Sequence, residues 1–241
     1  DILSNNVSSR SQIIPKKNNL RKPVLKFDNV SVKVGNVSIL DNLSFTIENP
    51  GVHCLIGPNG AGKTSALNAL TGKLDYKAGN VYWSGKSLKG IRPFRTPKIG
   101  IGRKLQVPSI FSNLTVRQNI DIAIWVNRLN IKHLFSVRPY SWGTNLLKDL
   151  EESFPFLNKT DVHAGTLSVG QRQMLDFAMT VLAEPELILL DEPCAGLSKY
   201  ETEKMILAIS KLAKTSKATF IIVEHDMHVV ELLSDNVFVM H

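Results

Sequence analysis

The chain is punctuated by short apolar runs, and several of them end at residues able to do chemistry. Val52-His53-Cys54-Leu55-Ile56 is a mostly apolar run of strand length, and Ser65-Ala66-Leu67-Asn68-Ala69-Leu70 beyond it has good helix composition. Leu187-Ile188-Leu189-Leu190 is unbroken and reads as a parallel strand buried on both faces, as does Phe220-Ile221-Ile222-Val223. Apolar side chains recur at helical spacing beyond Gly170, which predicts a helix over 171–183 with Ser168 as its N-cap. A further helix is expected near 200–214, a strand-rich opening over 24–48, and a short strand at Val81-Tyr82-Trp83 between Gly79 and Gly85. From 107 to about 166 the pattern turns mostly helical, most clearly over 115–126. Its aromatic residues include Trp125, Phe135, Trp142, Phe154 and Phe156; such residues are more often core than docking surface, and none is assigned singly. Strands alternating with helices make this an α/β chain, and no internal repeat is visible.

The run at 52–56 leads into Gly57-Pro58-Asn59-Gly60-Ala61-Gly62-Lys63-Thr64, followed by Ser65. A glycine-rich loop between a strand and a helix is a phosphate cradle. Gly57, Gly60 and Gly62 let successive N–H groups turn toward phosphate oxygens, and the helix adds its positive end. Lys63 reaches the β- and γ-phosphates and the Thr64 hydroxyl helps hold Mg²⁺. The loop therefore predicts binding of a nucleoside triphosphate.

The run at 187–190 ends in Asp191-Glu192-Pro193. An acidic pair at the C-terminal end of such a strand lies where ligands bind in open α/β sheets. Asp191 can hold Mg²⁺ through water, and Glu192 is placed to orient or deprotonate the attacking water. Leu167-Ser168-Val169-Gly170-Gln171 opens the predicted helix, and a serine, a glycine and bare N–H groups at a helix start form a second phosphate site. A second phosphate reader suggests that two chains share each nucleotide.

The ordered set, with the phosphate loop, Leu-Ser-Val-Gly-Gln, Leu-Ile-Leu-Leu-Asp-Glu-Pro and a histidine after the next strand, resembles the ATP-binding cassette ATPases. The resemblance covers roughly 24–241. It implies a P-loop nucleotide-binding domain with a mixed or parallel core sheet, an antiparallel β subdomain and a helical subdomain over about 107–166. It implies ATP and Mg²⁺ as ligands and ATP hydrolysis as the activity. His225 matches the histidine that contacts the γ-phosphate and attacking water, and Gln106 the glutamine that touches Mg²⁺ and water. Glu192, His225 and Gln106 are thus the expected catalytic group, with Thr64, Gln106 and Asp191 around the metal. Residues 57–65 with Ser168, Gly170 and Gln171 would bind nucleotide, the last three in the partner chain of a head-to-tail dimer. The other histidines, His53, His133, His163, His228 and His241, match no such position and are read as structural or exposed.

Arg103-Lys104-Leu105-Gln106-Val107-Pro108-Ser109-Ile110-Phe111, Leu-Ser-Val-Gly-Gln-Arg-Gln-Met-Leu at 167–175 and Val-Glu-His-Asp-Met at 223–227 are similar to the urea and branched-chain amino acid importer branch, most like the urea importers. This implies a subunit at the cytoplasmic face of a bacterial membrane, with permease subunits, a second ATP-binding subunit and, indirectly, a solute-binding protein as partners. Its work would be uptake of urea. Branched-chain amino acid uptake, lipopolysaccharide export, a non-transport cassette ATPase and a degenerate nucleotide-binding module are the competing readings. Two departures stand out. The family's adenine-stacking aromatic is replaced by Val34, with Phe27 nearby at the wrong spacing, and relatives run on beyond the position of His241, so the C-terminal end is read as truncated.

Composition alters this little. The net charge of +8 is not read as nucleic-acid binding, because it concentrates in two stretches. Residues 1–23 are expected to be a disordered basic segment, and 86–104, with Lys86, Lys89, Arg92, Arg95, Lys98, Arg103 and Lys104, a solvated loop in preference to a surface facing anionic lipid headgroups. No run approaches the length needed to span a bilayer, and no secretory leader opens the chain. Cys54 and Cys194 are expected to be reduced and partly buried.

Overall fold

The computed structural model describes residues 24–35, 37–104, 106–128, 145–159 and 161–241. The basic segment 1–23, His133, Phe135 and Trp142 lie outside them. In chain order the elements are β1 (Leu25–Val34), β2 (Val37–Ile47), β3 (Val52–Ile56), α1 (Lys63–Leu70), β4 (Ala78–Trp83), β5 (Lys86–Ser87), β6 (Ile101–Lys104), α2 (Val116–Arg128), α3 (Asn145–Ser153), α4 (Val169–Leu182), β7 (Leu187–Asp191), α5 (Lys199–Thr215), β8 (Thr219–Val223), α6 (Met227–Leu233) and β9 (Asn236–Val239).

They form two sheets. The first is antiparallel, in the order β2-β1-β4-β5, and the second is parallel, in the order β6-β7-β8-β3-β9. The apolar runs explain the second. Leu187 and Leu189 of β7, Ile221 and Val223 of β8 and Leu55 of β3 face one core, which they share with α1 and with Leu25, Phe27 and Val81 of the antiparallel sheet. Ile188, Leu190, Phe220, Ile222 and Cys54 face a second core with α2, α4 and α5. A strand that feeds two cores has no polar side to spare, which is why these runs are continuous rather than alternating.

The helical excursion is tied at its base. Val116 N donates to Val162 O at 2.8 Å and Ala164 N to Leu114 O at 2.9 Å, so the chain leaves and re-enters the core at one place. Asn119, fully buried, accepts from Phe111 N at 2.8 Å and donates to Phe111 O at 3.1 Å and Thr115 O at 2.9 Å, pinning the entry loop. Phe154 meets Phe177 of α4 edge to face at 6.2 Å, which joins α3's end to the second core.

Three expectations change. Two helices begin earlier than the pattern predicts. Gly62 takes a left-handed conformation at the N-cap of α1, so Lys63 is already helical. The side chains of Ser168 and Gln171 cap each other's backbone N–H and start α4 at Val169. Third, the basic stretch 86–104 is not one solvated loop. Lys86, Lys89, Arg92, Arg95 and Lys98 are exposed, but the Arg103 side chain is 9 % exposed and Lys104 is 1 % exposed, because both lie on β6, Arg103 turned toward α1 and Lys104 toward Asp176 of α4. The cysteines are free as expected, Cys54 fully buried and Cys194 9 % exposed.

Candidate active site

The loop between β3 and α1 is held open by its neighbours. Gly57 has φ 149°, and a Cβ on it would collide with the carbonyl oxygen of Met240, just past β9. Gly62, at φ 88°, has no room beside Leu40 and the Ile39 carbonyl. The buried ammonium of Lys63 donates to the carbonyls of Gly57 at 2.7 Å and Pro58 at 2.9 Å, so the loop curls around its own cation. The result is a concave run of backbone N–H groups at a helix start with a positive charge inside it, which suits a polyphosphate.

Asp191 closes the other side. Its Oδ1 accepts from Thr64 Oγ1 at 3.3 Å and its Oδ2 from Arg103 Nη2 at 3.1 Å. The Arg103 and Asp191 side chains are 9 % and 2 % exposed, so their ion pair is shielded from solvent. Arg103 Nη1 also donates to Asn68 Oδ1 at 2.8 Å and Thr71 Oγ1 at 3.2 Å, so one guanidinium joins β6, β7 and α1. Burial lowers the Arg103 pKa and Asp191 opposes that shift. A hydroxyl and a carboxylate side by side next to a phosphate cradle make an all-oxygen donor set, the kind that Mg²⁺ takes together with substrate phosphates.

Glu192 and His225 meet at the ends of neighbouring strands, with His225 Nε2 2.9 Å from Glu192 Oε1. Beside a carboxylate acceptor, Nε2 is the proton-bearing nitrogen. Glu192 has φ 50°, an unfavourable conformation for a non-glycine residue, and its N–H donates to Val223 O at 2.9 Å. Gln106 is exposed just past β6 and makes none of these contacts.

The second predicted phosphate reader opens a different helix, α4. Ser168 is exposed at the start of α4, its Oγ accepting from Gln171 N at 3.1 Å while Gln171 Oε1 accepts from Ser168 N at 3.1 Å. Among the described residues no hydrogen bond links this helix start to the phosphate loop. Val34 is 54 % exposed at the end of β1. Phe27 is buried and stacked on Phe45 at 4.6 Å, so its ring is committed to the core rather than to a base.

Three charged residues were missed by the sequence reading. Arg103 was grouped with a surface run. Asp176 of α4 is buried under Lys104 of β6, and burial lifts its pKa to about 6 although Lys104 and the Ser109 N–H pull it down. The visible signal was an acid inside the apolar sequence Met174-Leu175-Asp176-Phe177-Ala178. Glu224, between a buried strand and His225, is likewise buried.

The family model described as ABC transporter matches residues 40–195. The high-affinity branched-chain amino acid transport ATP-binding protein BraF of Pseudomonas aeruginosa is 28% identical over 232 residues, covering 92% of this chain and 89% of the relative. The corresponding LivG protein of Escherichia coli K12 is 28% identical over 231 residues, with the same coverage of 92% and 89%. The crystal structure of an ATP-binding cassette of an ABC transporter in its ADP conformation superposes with a TM-score of 0.72 at 26% identity, over 90% of this chain and 87% of the other. With the phosphate loop, the Asp191 cluster and the Glu192–His225 pair at the C-terminal ends of neighbouring strands, the chain belongs to the ABC transporter family, as an ATP-binding and ATP-hydrolysing subunit.

Proposed function

We propose that this chain hydrolyses MgATP in a site shared by two ATP-binding subunits and thereby drives a membrane permease, on the branched-chain amino acid side of the importer branch. The observation that carries the reading is the split arrangement of the two phosphate-reading elements. The phosphate loop, Asp191, Glu192 and His225 gather at the ends of β3, β7 and β8, while Ser168 is exposed at the capped start of α4 and, among the described residues, has no hydrogen bond to them. A head-to-tail dimer brings the second element onto the γ-phosphate of the first.

In this scheme the N–H groups of residues 57–65 and the ammonium of Lys63 bind the phosphates. Thr64, Asp191 and Gln106 hold the metal, with Arg103 fixing the Asp191 carboxylate. Mg²⁺ bound by these residues would neutralise the charge of the phosphates. Glu192 orients the water for in-line attack and accepts its proton, and His225 holds Glu192 on one side and reaches toward the γ-phosphate on the other. Ser168, Gly170 and Gln171 of the partner subunit complete the cradle. Closure on ATP and reopening after hydrolysis would move the permease between its two states. Among the described residues no helix is long and apolar enough to cross a membrane, which agrees with separate permease subunits.

For the solute, the named relatives favour branched-chain amino acids over urea. Two experiments test the reading. Chains carrying Lys63→Ala and chains carrying Gly170→Asp are each expected to be inactive, and their mixture to regain hydrolysis, because a mixed dimer retains one intact shared site. A mixture as inactive as its components would refute the shared site. With the transporter assembled, leucine, isoleucine or valine should stimulate ATP hydrolysis and urea should not, and the reverse would return the solute to urea.

A further inference from the structure

Glu224 directly follows β8 and is 4 % exposed. A carboxylate so buried needs hydrogen-bond donors, and both of its oxygens find them in the backbone of the site. Oε1 accepts from Cys194 N at 3.1 Å and Oε2 from His225 N at 3.3 Å. Cys194 lies two residues beyond Glu192, and His225 is the other member of the 2.9 Å contact. A single carboxylate therefore grips the chain on both sides of that contact.

The Glu192 turn is built to need such a tie. Its left-handed φ of 50° is held by Glu192 N donating to Val223 O at 2.9 Å and by Ala195 N donating to Glu192 O at 3.2 Å. Between these ties the Cys194 N–H points inward, where Glu224 receives it. Unfavourable backbone persists only when its surroundings over-determine it. Around Glu224 stand Cys54, Cys194, Lys104 and Glu192, and burial and the Glu192 charge raise its pKa while the two N–H donors lower it. The Cys194 thiol is pushed up to about 12, chiefly by burial, so it offers no competing nucleophile.

We propose that Glu224 is a positioning residue for ATP hydrolysis: it touches neither nucleotide nor metal, and it sets the Glu192–His225 geometry through the backbone N–H groups of Cys194 and His225. The inference rests on the reading of Glu192 and His225 as the hydrolytic pair, which is tested separately by Glu192→Gln.

The experiment compares Glu224→Gln and Glu224→Ala in the full chain. Glutamine keeps the shape and one carbonyl acceptor, whereas alanine keeps neither. The turnover number is expected to fall about tenfold in Glu224→Gln and by about fiftyfold or more in Glu224→Ala, with KM for ATP and nucleotide affinity within about twofold of wild type. A merely structural role would move affinity and melting temperature together with turnover. Turnover within about twofold of wild type in Glu224→Ala, or an equal loss of turnover and affinity, overturns the proposal. Should Glu224→Ala not fold, Glu224→Gln carries the same kinetic test. A crystal structure of Glu224→Gln requires no activity: His225 Nε2 is expected beyond about 3.5 Å from Glu192 Oε1, and a retained contact at the wild-type distance contradicts the proposal.

Discussion

His225 Nε2 and Glu192 Oε1 lie 2.9 Å apart across the ends of β8 and β7, two hydrogen-bonded neighbours in the parallel sheet. The register of the strands creates this contact. Asp191 pairs with Val223, so the chain beyond each strand emerges side by side, Glu192 level with Glu224 and one residue short of His225. In the proposed mechanism that pair aligns a water molecule, and the phosphate loop and Asp191 hold what the water attacks.

Arg103 is the residue through which the metal side of the site can be tested. Its removal leaves the Asp191 carboxylate buried without its countercharge, and breaking a buried pair typically costs about 3–5 kcal/mol. Arg103→Met is expected to lose about 3 kcal/mol of unfolding free energy in urea titration and to raise the Mg²⁺ concentration needed for half-maximal hydrolysis. Arg103→Lys keeps the charge but not the fork that reaches Asp191, Asn68 and Thr71 together, so it should fall between the two.

Gly170 serves packing as well as its proposed phosphate role. A Cβ there would collide with the carboxylate of Glu201, which accepts from both N and Oγ of Ser198 and caps α5. Gly170→Ala should displace that cap, cost about 1 kcal/mol, and abolish hydrolysis. Ser198→Ala should show a similar cost in denaturation while retaining hydrolysis, which separates the two roles.

Asp176 gives a pH dependence of known sign. Its folded pKa is about 6 against 3.8 for an ordinary aspartate, so the folded protein binds the extra proton between those values and its stability falls as pH rises through that window. Relative to Asp176→Asn, wild type should lose about 2–3 kcal/mol of stability between pH 4 and pH 7. Parallel urea titrations of the two proteins at both pH values measure the difference.

Much of this was legible in the sequence, for definite reasons. Buried parallel strands must be apolar throughout, so Leu187–Leu190 and Phe220–Val223 announced themselves. A phosphate cradle needs glycines at fixed places, so 57–64 did too. What escaped was the side-chain chemistry that long-range packing decides. Arg103 and Lys98 look alike in a basic stretch, and only the pairing of β6 with β7 takes one inside and leaves the other in solvent. Glu224 acts on Cys194, thirty residues away in sequence, and no local pattern reports such a contact. The solute was overread. The motifs of this chain concern nucleotide, and the named relatives are branched-chain amino acid transport proteins.

The central claim is that Glu192 drives hydrolysis in a site closed by a second subunit. Its most direct test is steady-state ATP turnover of wild type and Glu192→Gln, with sizing in MgATP. The account predicts that wild type turns over, and that the variant is inactive and elutes as a dimer with ATP trapped inside. A Glu192→Gln chain that turns over like wild type, or one that binds MgATP and remains monomeric, would contradict it.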